Sequence, residues 1–383
     1  MLRRLTLLSL SAALCAFVPS CVAVDAPQGS VAEKPAQVRQ DFLYGADVSG
    51  VPVMEKRTRL SFSDEAGKAD AVTVLRRAGV NCFRLRLFVR PVPGGEEFVT
   101  NDLPYTLELA RRVKASGASL LLDIHYSDTW ADPAKQYKPA AWKDFPFEKL
   151  VAAVREYSFV VISCFAKEGV MPEYVQVGNE ITNGMLWPDG KAEYGQPGDQ
   201  EGWDRFAQLL KAGITGVEQG SPKGAVPKIV LHIESTGNVP RTQWFFDNAA
   251  KRGVRWDIAG LSYYPEWHGE ISDLSATMEM LATRFNKPVV VAEVAYPWKQ
   301  DEHWIGRPHM SFPLTPQGQK DFLLKVREAV AKVPGNLGAG IFYWHPEGVS
   351  AWGVHAWVGG SCSLFDDKGR LLPGAALFAP AKP

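Results

Sequence analysis

Two glutamates carry the chemistry that this sequence suggests. Glu180 follows Asn179 at the end of the short apolar run 174–178, and Glu293 closes the run 288–292. Hydrolysis of a glycosidic bond needs such a pair. One carboxylic acid protonates the leaving oxygen, and one carboxylate attacks the anomeric carbon. Carboxyls about 5–5.5 Å apart support a double displacement with retained configuration. Mutual repulsion keeps one of them protonated near neutral pH, as a general acid requires. A nearby arginine would hold the nucleophile ionised, and Asn179 could donate to a sugar hydroxyl.

These side chains need elements to carry them. Strand-like runs, short and apolar or β-branched, lie at 43–48, 81–89, 119–125, 174–178, 228–233, 258–263, 288–292 and 338–344. Helical periodicity marks 65–78, 103–116, 147–168, 204–219, 242–252, 273–284 and 316–333 between them. Several open on cap-like pairs: Ser63-Asp64, Asn101-Asp102, Ser272-Asp273 and Thr315-Pro316. Continuous runs such as Val289-Val290-Val291 suit parallel strands buried on both faces. The fold class expected is α/β, a single-domain (β/α)₈ TIM barrel. An open nucleotide-binding sheet would show a Gly-rich turn after its first strand, and none is visible.

Barrel enzymes place chemistry at the C-terminal ends of the strands. Asp47, Arg84, Arg86, Asp123, His125, Asp128, His232, Glu234, Tyr263, Tyr264 and His345 fall at those ends, beside the two glutamates. A single polar strand end is usually a loop or helix cap. A ring of them implies a polar ligand. Among the 12 tryptophans, Trp130, Trp187, Trp267 and Trp344 fall in or beside strand-end loops, where pyranose rings stack. Trp142, Trp203, Trp244 and Trp256 lie on or next to helices and read as packing.

The 42 Lys and Arg residues balance 42 Asp and Glu, so no basic stripe recommends nucleic acid as a partner. Arg3 and Arg4 precede an apolar run of ~14 residues, the pattern of a secretory signal and too short for a membrane span. The signal is expected over residues 1–23 and a polar tether over 24–40, with the catalytic barrel from 41 to 383. Val18-Pro19-Ser20-Cys21 resembles a lipoprotein box, so membrane attachment through an acylated Cys21 competes with cleavage after Ala23. Both outcomes place the chain outside the cytoplasm: secreted, periplasmic or lipid-anchored at the cell surface. A monomer is expected. Cys82, Cys164 and Cys362 are an odd set with room for one bridge, and buried thiols suit Cys82 and Cys164 better. No Cys and His spacing suggests a metal site, and no cofactor is implied.

Several blocks resemble glycoside hydrolase family 53. They are Asp123-Ile124-His125-Tyr126-Ser127-Asp128-Thr129-Trp130-Ala131-Asp132-Pro133, Val177-Gly178-Asn179-Glu180, Gly184-Met185-Leu186-Trp187-Pro188 and Gly260-Leu261-Ser262-Tyr263-Tyr264-Pro265. Trp267-His268-Gly269, Ala292-Glu293-Val294-Ala295-Tyr296-Pro297 and Gly340-Ile341-Phe342-Tyr343-Trp344 continue the resemblance from about Leu43 to Phe378. It implies a retaining endo-β-1,4-galactanase acting on galactan or type I arabinogalactan, with Glu180 as acid/base and Glu293 as nucleophile. It also implies an inner shell of Arg84, His125, Asn179 and Tyr263 at the cleaved bond, with Tyr264 beside it; Asp47, at the end of the first strand, is a further substrate-binding candidate. Asp128, Trp130, Trp187, Trp267, His268 and Trp344 would line sugar subsites.

Two stretches depart from the family pattern. His345-Pro346-Glu347-Gly348 stands where relatives usually have Glu-Pro-Ala-Trp, and Glu234-Ser235 where many have Ala-Asn. Both concern subsite loops rather than the two glutamates. In residues 298–314 only Asp301 and Glu302 are acidic, so the calcium held there by some relatives is not expected. Two other readings remain open: a barrel hydrolase of another β-linked polysaccharide (a mannanase or cellulase), and a non-catalytic surface glycan binder. The first should lack the Trp130-Ala131-Asp132-Pro133 and Tyr264-Pro265 blocks together. The second has no use for a paired acid and nucleophile.

Overall fold

Eight short strands, nearly all of their residues buried, run parallel and close on themselves. They are β1 (Leu43–Asp47), β2 (Cys82–Leu87), β3 (Ser119–Ile124), β4 (Tyr174–Val177), β5 (Lys228–Ile233), β6 (Ile258–Tyr263), β7 (Val289–Val294) and β8 (Gly338–Trp344). Each pairs with its sequence neighbours, and β8 returns to β1 with Asp47 opposite Trp344. The structure is a computed structural model and describes residues 38–92, 94–196 and 199–379. The proposed leader, Cys21 and most of the tether lie outside the described residues.

Side chains alternate across each strand, so every second residue faces the barrel axis. Low in the barrel the axis is filled by Leu43, Cys82, Leu121, Val230, Ile258, Val290 and Phe342. Phe342 crosses so close to β1 that a Cβ on Gly45 would lie 2.0 Å from its ring, and only glycine fits there. The upper layer turns polar, and that change of character fixes where a ligand can bind. Bulges between β6 and β7 at Leu261/Ser262, and between β7 and β8 at Val291/Val294, re-aim the side chains around Glu293.

The connecting helices largely follow the expected periods. Asp102 accepts from Tyr105 N–H at the start of helix Leu103–Ala115, and Thr315 accepts from Gly318 N–H at the start of Pro316–Ala331. Two differences have simple causes. Where one helix was expected over 65–78, Phe62–Asp64 and Gly67–Ala69 form a hairpin, and Asp70 caps a shorter helix, Ala71–Ala78. An unexpected helix, Val51–Arg57, follows β1 and buries Val51, Val53 and Met54; it is only seven residues long, and Gly50 before it and Pro52 within it mask a period. After β8 the chain closes with a short 3₁₀ segment, Pro373–Phe378, packed on the last long helix. Cys82, Cys164 and Cys362 are all free. Among the described residues no helix is long and apolar enough to cross a membrane.

Trp203 anchors the outer shell. It is fully buried in helix Asp199–Gly220, with its ring 4.9–5.5 Å from those of Phe206, Trp244 and Phe245. Trp203→Ala should cost about 3–5 kcal/mol through lost burial and the cavity it leaves. Thermal unfolding checks this: Tm should fall by several degrees, and a shift under about 2 °C would show that the shell repacks around the gap.

Candidate active site

At the top of the axis, Arg84 on β2 gathers residues from around the barrel. Its Nη1 lies 3.0 Å from Asp47 Oδ2 and 2.9 Å from Glu293 Oε1. Its Nη2 donates to Asp123 Oδ2 at 2.8 Å and to Asn179 Oδ1 at 2.9 Å. All five side chains are buried or nearly so. Burial pushes the Glu293 carboxyl upward, while Arg84 and a hydrogen bond from Tyr264 Oη at 2.9 Å pull it back toward the ionised form.

Glu180 sits across the same cavity with different company. Its backbone is in the left-handed region at φ 49°, after Gly178 at 86°, a strained placement typical of functional positions. Gln136 Nε2 steadies this turn by donating to the carbonyls of Asn179 at 2.8 Å and Glu180 at 3.3 Å. The Glu180 carboxyl has no cation beside it. Burial, then the charge of Glu293, then that of Glu234 raise it well above the usual carboxylate range. Ser262 Oγ is 2.6 Å from Glu180 Oε1 and 2.9 Å from His232 Nε2, and His232 Nδ1 is 3.0 Å from Asn179 Oδ1. Burial and Arg84 keep His232 neutral.

The cavity holding both glutamates has a volume of about 560 Å³ and is walled by Arg86, His125, Trp130, Trp344, His345 and Trp357, among others. The Arg86 guanidinium lies 4.6 Å from the Trp130 ring centroid and 5.7 Å from that of Trp344. A second cavity of about 880 Å³ opens on the far side of Glu180, lined by Glu234, Asn238, Arg241, Trp267 and His268. Trp267 borders both and is 55 % exposed. Among the described residues no group of three His, Cys, Asp or Glu is placed to hold a metal ion.

Residues 43–378 match glycosyl hydrolase family 53. The chain belongs to that family. It is a glycoside hydrolase. An arabinogalactan endo-β-1,4-galactanase A from Aspergillus niger is 34% identical, covering 87% of this chain and 93% of its own. An endo-β-1,4-galactanase from Bacillus subtilis is 31% identical over 90% of this chain and 87% of its own. The solved catalytic domain of the family 53 protein of Ignisphaera aggregans superposes with TM-score 0.80 at 32% identity, covering 90% of this chain and 97% of its own.

Of the family 53 residues expected from sequence, Arg84, Asn179, Glu180, Tyr264 and Glu293 converge on one point, with His125, Trp130, Trp267 and Trp344 around the cavities. Asp47 lies behind Arg84 and acts through it. His268 accepts from Tyr264 N–H at 2.9 Å, and burial lowers it to about 4, so it faces the second cavity uncharged. Tyr263 is a correction. It points away from the axis, donates to the Gly269 carbonyl at 3.1 Å and stacks on Phe322. Asp128 lines neither cavity and instead accepts from the Arg90 and Ala140 N–H groups, tying two loops. Trp187 is likewise absent from both walls, its indole N–H donating to the Asn183 carbonyl at 2.9 Å.

Sequence reasoning missed Ser262, Gln176 and Gln136. Strand alternation could have found Ser262, since it shares the face of Tyr264. Gln176 Nε2 is 3.1 Å from Asn179 Oδ1 and belongs to the same buried network. If Arg84 holds Glu293 ionised, Arg84→Gln removes the favourable charge and raises the nucleophile's pKa. The acid limb of the kcat/KM profile should then move to higher pH, with turnover much reduced. An acid limb that stays in place would refute this role.

Proposed function

We propose that this chain is a retaining endo-hydrolase of β-1,4-galactosidic bonds in galactan and type I arabinogalactan. The observation that carries the mechanism is the unequal company of the two glutamates. Glu293 has a cation and a phenol hydrogen bond, so it supplies the carboxylate nucleophile. Glu180 lacks a cation and is raised by burial, so it keeps the proton for the leaving oxygen. After the glycosyl–Glu293 intermediate forms, ionised Glu180 takes a proton from water, which then attacks the anomeric carbon and releases Glu293.

The two cavities give the direction of the chain. A nucleophile touches only the sugar whose anomeric carbon it attacks, whereas the acid touches the oxygen between two sugars. Glu293 borders the first cavity alone and Glu180 borders both. The glycone therefore fills the first cavity and the leaving part the second. Space on both sides of the cut supports endo action. Galactan as the substrate is supported by the relatives' names and by the aromatic faces that Trp130 and Trp344 give the first cavity.

Export is part of the same proposal, since Arg3-Arg4 and the apolar run after them suit a secretory signal, and Cys21 offers a lipid attachment point. A galactan polymer would be met outside the cytoplasm. We place the enzyme there as a monomer, with one catalytic domain from Asp41.

Reducing-sugar release from linear β-1,4-galactan, beside mannan, carboxymethyl cellulose and β-1,3-galactan, tests the substrate. Activity confined to β-1,4-galactan is expected; activity on mannan or cellulose alone would overturn the substrate and keep the chemistry. Glu293→Ala should abolish turnover while oligosaccharide binding persists. Glu180→Ala should lose far more rate on galactan than on a substrate with a good leaving group, and equal losses would refute its role as acid. Trp344→Ala should weaken oligosaccharide binding by about 1–3 kcal/mol, read by calorimetry, if its ring is a stacking platform.

A further inference from the structure

Glu234 takes no part in the bond-breaking step, yet its carboxylate is built into the wall of the second cavity. It is 7 % exposed at the end of β5. Oε2 accepts from Thr182 Oγ1 at 2.6 Å, whereas Oε1 has no hydrogen-bond partner. Arg241 Nη2 stands 3.7 Å from Oε1, beyond hydrogen-bond reach, and donates instead to Asn183 Oδ1 at 2.7 Å. A buried acceptor left open in this way is costly unless a donor arrives with a ligand.

The spacing suggests which ligand. A carboxylate that only accepts and a guanidinium that only donates, side by side, match two neighbouring hydroxyls. One hydroxyl donates to Glu234 Oε1 and the other accepts from Arg241. Trp267, half exposed at the border of the two cavities, offers a face for the same ring. In a 1,4-linked hexopyranose the sugar just past the cut carries O4 in the broken bond, so its adjacent free hydroxyls are O2 and O3.

We propose that Glu234 and Arg241 clamp the O2 and O3 hydroxyls of the first leaving-side sugar, and so admit only an unbranched residue there. This rests on the reading of the second cavity as the leaving side of a galactan hydrolase. The clamp makes Glu234 and Arg241 specificity-determining residues: a substituent on either oxygen removes the donor or fills the space.

The test uses the purified enzyme and two variants, Glu234→Gln and Arg241→Ala, each assayed at its own pH optimum because the Glu234 charge also bears on Glu180. Linear galactan is compared with an aryl β-galactobioside, whose leaving group has no diol. The galactan-to-aryl ratio of kcat/KM should fall about tenfold in each variant, the scale of one lost hydrogen bond in discrimination. Galactan bearing single arabinosyl groups at O3 supplies a second readout. The leaving-side sugar becomes the new non-reducing end of one product, so wild-type products should start on unbranched residues, and Arg241→Ala products should include branched ones. Wild type inert on galactan would overturn the substrate reading together with this one. Wild type active but yielding branched new ends, or unchanged ratios in both variants, would overturn the clamp alone.

Discussion

One guanidinium holds this site together. Arg84 meets three carboxylates and an amide at 2.8–3.0 Å in a place closed to water. Buried charges of this kind contribute little net stability, yet removing one partner strands the others at a cost of about 3–5 kcal/mol. The value of the arrangement is therefore geometric. Its partners come from β1, β3, β7 and the turn after β4, so the contacts exist only when those strands share one register. A one-residue slip in any strand would turn the partner outward. The aliphatic layers below tolerate exchange of one apolar side chain for another; the polar layer does not. The bulges beside β7 follow from the same demand, since regular alternation from Val290 and Ala292, both on the axis, would turn Glu293 away.

From that constraint follows the division of labour between the glutamates. Arg84 and Tyr264 are committed to Glu293, so any proton shared by the pair goes to Glu180. The neutral His232 is consistent with this. With Glu180 protonated, its O–H donates to Ser262, the Ser262 O–H donates to His232 Nε2, and His232 Nδ1–H donates to Asn179 Oδ1. The Ser262 hydroxyl and both His232 nitrogens are then paired. Once Glu180 gives up its proton, Ser262 turns its own O–H toward the carboxylate and steadies the ionised form, while burial favours the proton's return. The acid thus owes its proton to burial and the neighbouring carboxylates, with Ser262 and His232 orienting it, whereas the nucleophile is supported by the Arg84 charge.

Much of this was legible in the sequence because it rests on strand ends. The eight apolar runs, the two glutamates, Arg84 and Asn179 all follow from period and position. Tyr263 and Tyr264 show where such reading fails: neighbours on a strand face opposite ways, and choosing between them requires the parity of the whole strand. Ser262 and Tyr264 both face the axis, which leaves Tyr263 to pack on Phe322. The loops carry no period at all. Asp128 and Trp187 have the right types and positions for sugar contact, but local backbone groups take up their polar atoms. His355 and Trp357 reach the first cavity from a long loop after β8, with no strand to announce them.

The unusual residues after Trp344 bear on the glycone side. By residue type, His345 and Glu347 form a charge pair beside Arg86. Burial and Arg86 instead hold His345 down at about 3, and burial with the Asp47 charge lifts Glu347 to about 8. Between those limits both are neutral. Glu347 keeps one oxygen on the Gly50 N–H at 2.7 Å and serves as a hydrogen-bonding strut between the first and last strand-end loops. Arg86 is then balanced by Asp47 at 3.9 Å and by the faces of Trp130 and Trp344. A cation spread under two indoles stiffens the aromatic wall. That suits an uncharged sugar chain, which binds through ring faces and hydroxyls, and it gives this departure from the family pattern a physical role: between those limits His345 and Glu347 add no charge to the wall.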